Sequence, residues 1–312
     1  MRRLLPVLVL AVTACSAPST ADTSPTTAAT SSTPPSTTTS TSMAPTTAAP
    51  DQSTTTTVPR ELLLYDHWKG SFTYGDGLRI DVHAPEVRSN HPVAITVHGG
   101  GWFTGDQDAM GFLADGLAAR GFVVFNATYR TMSRGGTFPS MVEDVACAVA
   151  YARDHALDYS TTADHFTLIG HSAGAHLTSL VALAPTVFGT ACPGAETPVD
   201  AWVGLAGSYD TDTYAFLLQP FFGVPYADDP ELWAQGRPHT YVASAPDGLA
   251  MLFVHGDADE LVPVAMSEDL YLAADRAGTD ARLTVLPGVG HSEVNAPRVV
   301  AELITEWLSA GG

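Results

Sequence analysis

The sequence predicts an α/β domain, a doubly wound and mostly parallel sheet of about eight strands with helices on both faces and a short lid insertion. Two observations carry this. Short apolar runs of buried-strand type alternate with stretches of helical period, and the connections between them are short and marked by Gly or Pro. This pattern fills residues 60–312, and no internal repeat interrupts it. That length suits one domain with an ample core.

Taken in order, 62–65, 70–74 and 78–83 have the look of early strands, with Gly75-Asp76-Gly77 as a hairpin turn. Pro92 opens the apolar run 93–97, which ends in His98-Gly99-Gly100-Gly101-Trp102. Met110, Leu113 and Leu117 share a helical face, and Gly121 follows as a stop. The next strand, 122–125, runs on to Tyr129-Arg130. Pro139 opens a helix whose Val142, Val145, Val149 and Ala152 form one stripe. The run 166–169 is a strand, and 175–184 a helix of small residues and leucine. Further strands fall at 201–205, 251–254 and 282–286, and further helices at 264–277 and 297–309. Residues 207–242 break the rhythm. They are rich in aromatics and proline without a clean period, which suits an insertion near a site better than a core element.

The N-terminal part is of another kind. Arg2 and Arg3, an apolar run over 4–12 and a small-residue end define a signal peptide over 1–14, too short to span a bilayer. The end, Val12-Thr13-Ala14-Cys15, resembles a bacterial lipobox, which implies cleavage before Cys15 and lipidation of its thiol. The alternative is a soluble secreted protein cut near the same place. Residues 15–59 are almost only Ser, Thr, Ala and Pro, so they cannot bury a core and are expected to stay disordered. Stretched at ~3.1 Å per residue, such a tether reaches on the order of 140 Å. The expected location is the outer face of a bacterial cell membrane, held by the lipid anchor alone, or secretion. A formal charge of −19 argues against nucleic acid and against docking on anionic lipid. With Cys15 assigned, Cys147 and Cys192 are left, as a disulfide pair or as two separate thiols.

The chemistry centres on Gly170-His171-Ser172-Ala173-Gly174. A serine between two glycines at a strand-to-helix turn can hold its Oγ exposed at the tip of a sharp elbow. A glycine-rich helix start without chemistry is the bland alternative, and the remaining motifs weigh against it. His291 follows the strand 282–286 on a glycine-rich loop and suits a general base. Asp259 follows the strand 251–254 and suits the acid that orients it, with Asp257 as the second choice. Ala173 and the Gly99, Gly100 and Gly101 backbone can supply N–H groups to an oxyanion. The glycine run lacks the Lys-Ser/Thr of a phosphate-binding loop. His98 and His255 suit loop-orienting hydrogen bonds, and His171 and His176 packing or a pocket wall. Tyr129, Arg130 and Asp144 suit a structural hydrogen-bond or ion-pair set. Trp102, His171, Phe216, Phe221, Phe222 and Val262 are expected to line the substrate pocket. No His-Glu-x-x-His motif or Cys/His cluster occurs, so neither metal nor cofactor is expected.

Together, His98-Gly-Gly-Gly-Trp102, Gly170-His-Ser-Ala-Gly174, His255-Gly-x-x-Asp259-x-x-Val-Pro263 and Gly290-His291 resemble the α/β-hydrolase esterase/lipase superfamily. The pattern is nearest the branch of small carboxylesterases, feruloyl- and acetyl-esterase-like and kynurenine formamidase-like enzymes. It covers roughly residues 70–310, in the chain order Ser, Asp, His. The resemblance implies Ser172 as nucleophile, Asp259 as acid and His291 as base. It implies a serine esterase acting on small or medium acyl or aryl esters, small-molecule or polymer-linked. The hormone-sensitive-lipase-like branch usually has Asp where this chain has His171, and prolyl-oligopeptidase-type enzymes carry a large extra domain absent here. Two other functions compete: an arylformamidase-like amidase using the same machinery, and a tethered, non-catalytic binding protein on a hydrolase fold.

Overall fold

The computed structural model describes residues 66–189, 192 and 197–311. The signal segment, Cys15, the tether and the strand expected at 62–65 lie outside these residues. Eight strands form one sheet: β1 (His67–Tyr74), β2 (Leu78–Pro85), β3 (Val93–Val97), β4 (Val123–Ala127), β5 (Phe166–His171), β6 (Ala201–Leu205), β7 (Ala250–Gly256) and β8 (Asp280–Leu286). Their order is β1-β2-β4-β3-β5-β6-β7-β8. The first two pairings, β1 with β2 and β2 with β4, are antiparallel, and every later one is parallel. Parallel strands must be joined by crossovers, and helices supply them.

The helices are α1 (Gly111–Ala118), α2 (Ser140–Tyr159), α3 (Ala173–Leu183), α4 (Pro185–Phe188), α5 (Ala215–Phe222), α6 (Pro230–Gln235), α7 (Ala265–Ala277) and α8 (Pro297–Ser309). They divide between the two faces of the sheet, and each face has its own apolar core. One gathers Val142, Val149, Leu177, Leu180 and Leu270 from α2, α3 and α7. The other gathers Leu113, Leu117, Val300, Ile304 and Trp307 from α1 and α8. With both faces covered, β3, β5, β6 and β7 are buried along their whole length. This is why they appear in the sequence as continuous apolar runs, not alternating ones. Cys147 on α2 is joined to Cys192 by a disulfide with a Cα–Cα distance of 5.5 Å. Among the described residues no helix is long and apolar enough to cross a membrane.

The segment 207–242 departs from expectation. It contains α5, α6 and a short 3-10 turn (Pro238–Thr240), and several of its side chains belong to the core. Leu218, Phe221, Phe222, Trp233 and Val242 are all buried. Phe222 stacks on Trp233 with ring centroids 4.1 Å apart, and Trp233 Nε1 donates to Val224 O at 3.1 Å. The segment is at once an insertion and a core element. Phe221 packs against Trp102, Phe138 and His176, and Phe138 N donates to Phe221 O at 2.7 Å.

Candidate active site

The ends of β3, β5, β7 and β8 converge, because parallel strands deliver their following loops to one edge of the sheet. Ser172 sits directly between β5 and α3 at φ 54°, ψ −121°. A non-glycine residue there carries backbone strain on the order of 1–3 kcal/mol, which the surroundings must hold. Ser172 N donates to Leu205 O on β6 at 2.9 Å, pinning the turn. The two motif glycines are required by space. A Cβ on Gly170 would overlap Gly174 O and Thr178 Oγ1, and one on Gly174 would overlap the His98 and Val97 carbonyl oxygens.

His291 Nε2 lies 2.9 Å from Ser172 Oγ, and His291 Nδ1 lies 2.7 Å from Asp259 Oδ2. A carboxylate can only accept, so Nδ1 carries the proton and Nε2 offers a lone pair to the serine hydroxyl. Asp259 is fully enclosed, its side chain 1% exposed. Burial alone would raise its pKa. The Val262 N–H, His291 and the Leu261 N–H more than offset this, and the carboxyl is held below its ordinary value. The two amides reach Asp259 Oδ1 at 2.8 and 2.9 Å. His255 adds a fourth donor: its Nε2 is 3.1 Å from Asp259 Oδ2 and 2.9 Å from Val262 O, while Ser267 Oγ is 2.7 Å from its Nδ1. Burial lowers the His255 pKa, so the ring is neutral and orients the acid without competing for it. Asp257 is engaged elsewhere, accepting from Gly288 N at 2.6 Å and clasping the loop that carries His291.

The glycine loop lies against the elbow. A Cβ on Gly99 would fall 2.9 Å from Ser172 Cβ. Gly100 at φ 121° turns the chain so that its carbonyl receives Phe103 N and Thr104 N at 3.2 and 3.1 Å. Among the described residues no carbonyl receives the amides of Gly100, Gly101 or Ala173. The last is the first residue of α3, where helix geometry leaves amides without intrahelical partners. His98 fixes the loop from below, as expected. Its ring stacks on Tyr129 at 4.4 Å and its Nδ1 donates to Gly99 O at 2.6 Å. Tyr129 therefore belongs to this stack and not to the ion pair beside it. Its hydroxyl is buried without a hydrogen-bond partner among the described residues, while Arg130 Nε and Nη2 grip Asp144 at 2.8 and 2.7 Å.

A cavity of about 1050 Å³ opens beside Ser172. Of the six expected lining residues it takes Trp102, His171 and Val262. The three phenylalanines are elsewhere. Phe216 points to solvent at 90% exposure, and Phe221 and Phe222 are buried at 0% and 4%. Helical phase explains the error. On α5 the positions three apart, Leu217 and Pro220, line the cavity, while Leu218, Phe221 and Phe222 pack into the core. Tyr214, Met132 and Leu261 complete much of the apolar wall.

Two histidines at the elbow have partners that the sequence did not disclose. His171 Nε2 donates to the His291 carbonyl at 3.0 Å, its ring 4.9 Å from that of His291. His176 accepts from Trp102 Nε1 at 3.1 Å and donates to Gly236 O at 2.7 Å, tying the glycine loop to the insertion. Burial pushes both histidines down to about 4, so they act as neutral hydrogen-bond bridges. Their positions beside Ser172 in the sequence were the only signal available.

The strand order, the elbow after β5 and the Ser, Asp, His order define the class of this protein, an α/β-hydrolase. More narrowly, the chain belongs to the BD-FAE family, whose model matches residues 80–273. It is similar to esterase LipQ of Mycobacterium tuberculosis, with 30% identity over 70% of this chain and 55% of that one. The probable carboxylic ester hydrolase LipM of the same organism is 29% identical over 61% of this chain and 47% of its own length. The chain thus spans about half the length of the curated relatives it matches. Among solved structures it shares its fold with a truncated carbohydrate esterase from gut microbiota, at TM-score 0.66 and 22% identity, over 79% of this chain and 98% of that one.

Proposed function

We propose that this protein is a serine carboxylic-ester hydrolase that works through an acyl-enzyme. The observation that carries the reading is the unbroken hydrogen-bonded line Ser172–His291–Asp259 at the wall of an apolar cavity. His291 Nε2 takes the Ser172 proton as Oγ attacks the ester carbonyl. The Ala173 amide and the amides of the Gly99–Gly101 loop receive the oxyanion. One such donor contributes roughly 3–4 kcal/mol to the transition state. His291, now protonated, gives its proton to the leaving alcohol, and water repeats the sequence to release the acid. Asp259 holds the Nδ1–H tautomer and stabilises the imidazolium.

The curated relatives are named esterases and carboxylic ester hydrolases, which supports ester hydrolysis for this chain. At about 1050 Å³ the cavity lies just above the ~300–1,000 Å³ usual for small-molecule sites. Its mostly apolar wall suits small or medium acyl or aryl groups. The Cys147–Cys192 disulfide supports the reading that the signal segment exports the domain, since disulfides persist in oxidising compartments; Cys15 as lipid anchor rests on the lipobox resemblance. The test is hydrolysis of p-nitrophenyl acetate by Ser172→Ala. A loss of kcat on the order of 10⁴ or more is expected, and full retained activity refutes the mechanism.

A further inference from the structure

The antiparallel ribbon at the sheet edge carries a cluster that the hydrolytic site does not use. On β1, His67 and Lys69 lie on one face by strand alternation. Lys69 pairs across the ladder with His83 of β2, which brings all three side chains over one strip of sheet. From above, α1 contributes Asp115. His67 Nε2 and His83 Nδ1 both point at the same atom, Asp115 Oδ1, at 3.1 and 2.8 Å. Lys69, the chain's one lysine, reaches that oxygen at 2.6 Å. None of these residues lines the cavity beside Ser172.

Three donors crowd one carboxylate oxygen, while Oδ2 receives Lys69 alone. The donors are of two kinds. The ammonium sits on a flexible stem whose side chain is 52% exposed. The two imidazoles are held in place, His83 at 5% exposure and His67 at 20%. The ring nitrogens and the carboxylate oxygen lie within 4.8 Å of one another. Ligand atoms about 2.0–2.2 Å from a tetrahedral ion lie roughly 3.3–3.6 Å apart, so the 3.1 and 2.8 Å edges open by a few tenths of an ångström on binding while the two ring nitrogens stay within reach of one ion. Two imidazoles and one carboxylate favour a borderline divalent ion of the zinc kind over calcium or magnesium, which prefer oxygen shells.

We propose that His67 Nε2, His83 Nδ1 and Asp115 Oδ1 form a zinc-class divalent cation site, with water at the fourth position and Lys69 as the competitor that leaves on binding. The charge balance is simple. The Lys69 ammonium swings to solvent and the cation takes its place on Asp115. Each neutral imidazole then carries its proton on the other ring nitrogen, Nδ1 of His67 and Nε2 of His83, and presents a lone pair to the ion. No bond to carbon is made or broken. The bound ion clamps β1 and β2 to α1, so its role is to hold the edge ribbon, remote from the ester chemistry. The sequence hid the site because its three ligands come from separate elements and form no recognised spacing.

The test uses the full chain purified without a polyhistidine tag and stripped with EDTA. Zinc chloride is titrated by calorimetry and followed by thermal unfolding. One zinc per chain is expected, with Tm raised by about 5–10 °C at a free zinc of about 100 times Kd. Calcium should give no such shift. His83→Ala and His67→Gln should each abolish the shift, the second being a partly exposed edge position that serves if the first does not fold. Lys69→Met should bind zinc about fivefold more tightly, because the competing pair is gone. A cluster that is only a hydrogen-bond network gives the opposite record: no zinc heat and no shift in either wild type or Lys69→Met. That result, or equal zinc binding by His67→Gln, overturns the proposal.

Discussion

Acid should destabilise this domain well above the pH at which its carboxylates titrate. His98, His171 and His176 are buried, and burial lowers each from 6.5 to about 4. A histidine whose folded pKa lies below its unfolded value is neutral in the fold and takes a proton more readily in the unfolded chain. Its contribution is complete above pH 6.5, falls away as pH drops from 6.5 to about 4, and changes no further below that. At pH 5 the linkage amounts to about 2 kcal/mol for each histidine, and about 6 kcal/mol for the three together as an upper bound. That is comparable with the ~5–15 kcal/mol that holds an ordinary domain. His83, His239 and His255 are lowered by burial as well and act in the same direction. Asp115 and Asp259 are held low, so they remain ionised at pH 5 and do not blur the effect. Urea unfolding followed by tryptophan fluorescence at pH 7 and pH 5 measures the difference. His176→Gln keeps an acceptor for Trp102 and a donor for Gly236, and should remove about 2 kcal/mol of the dependence. An unfolding free energy equal at the two pH values within about 1 kcal/mol would refute the reasoning, since the histidines would then not be buried neutral.

Asp259→Asn should lower kcat on p-nitrophenyl acetate by about 10⁴, because the amide no longer fixes the Nδ1–H tautomer. Asp257→Asn, at a side chain that accepts from Gly288 N, should stay within about tenfold of wild type; the reverse ranking would transfer the orienting role to Asp257. Gly174→Ala forces a methyl into the His98 and Val97 carbonyls, and should cost about 1–3 kcal/mol by thermal unfolding while lowering kcat. An unchanged Tm would mean that the elbow and the glycine loop are not in contact. Leu217→Trp fills cavity space from α5, and should lower kcat/KM for p-nitrophenyl octanoate about tenfold relative to the acetate. An unchanged ratio would place the acyl chain elsewhere.

What could be read from the sequence follows how local its physical cause is. The strand at Ala201–Leu205 and the helix at Pro297–Ser309 appear at the expected bounds, because a fully buried strand and a proline-initiated helix announce themselves in a few residues. The elbow is local in part: Gly170 is demanded by Gly174 O and Thr178 Oγ1 just ahead in the chain, whereas Gly174 is demanded by the Val97 and His98 carbonyls of the distant glycine loop. Ser172, His291 and Asp259 are brought together by the strand order, which the alternating pattern implies. The pocket wall was less legible. Its aromatics were evident, but their phase on α5 depends on which side meets the core, and a short helix with Pro220 inside it carries no period to show that. The same holds for Trp102–His176–Gly236 and for Tyr129, whose partners come from distant segments.

Reaction with a fluorophosphonate probe, followed by peptide mapping, tests the central claim most directly. The probe forms a stable adduct only with a serine activated by its neighbours. One adduct per chain on the peptide holding Ser172, with esterase activity lost in parallel, is the predicted result. Activity that survives in the presence of excess probe, or a stoichiometric adduct on a residue other than Ser172, would contradict it.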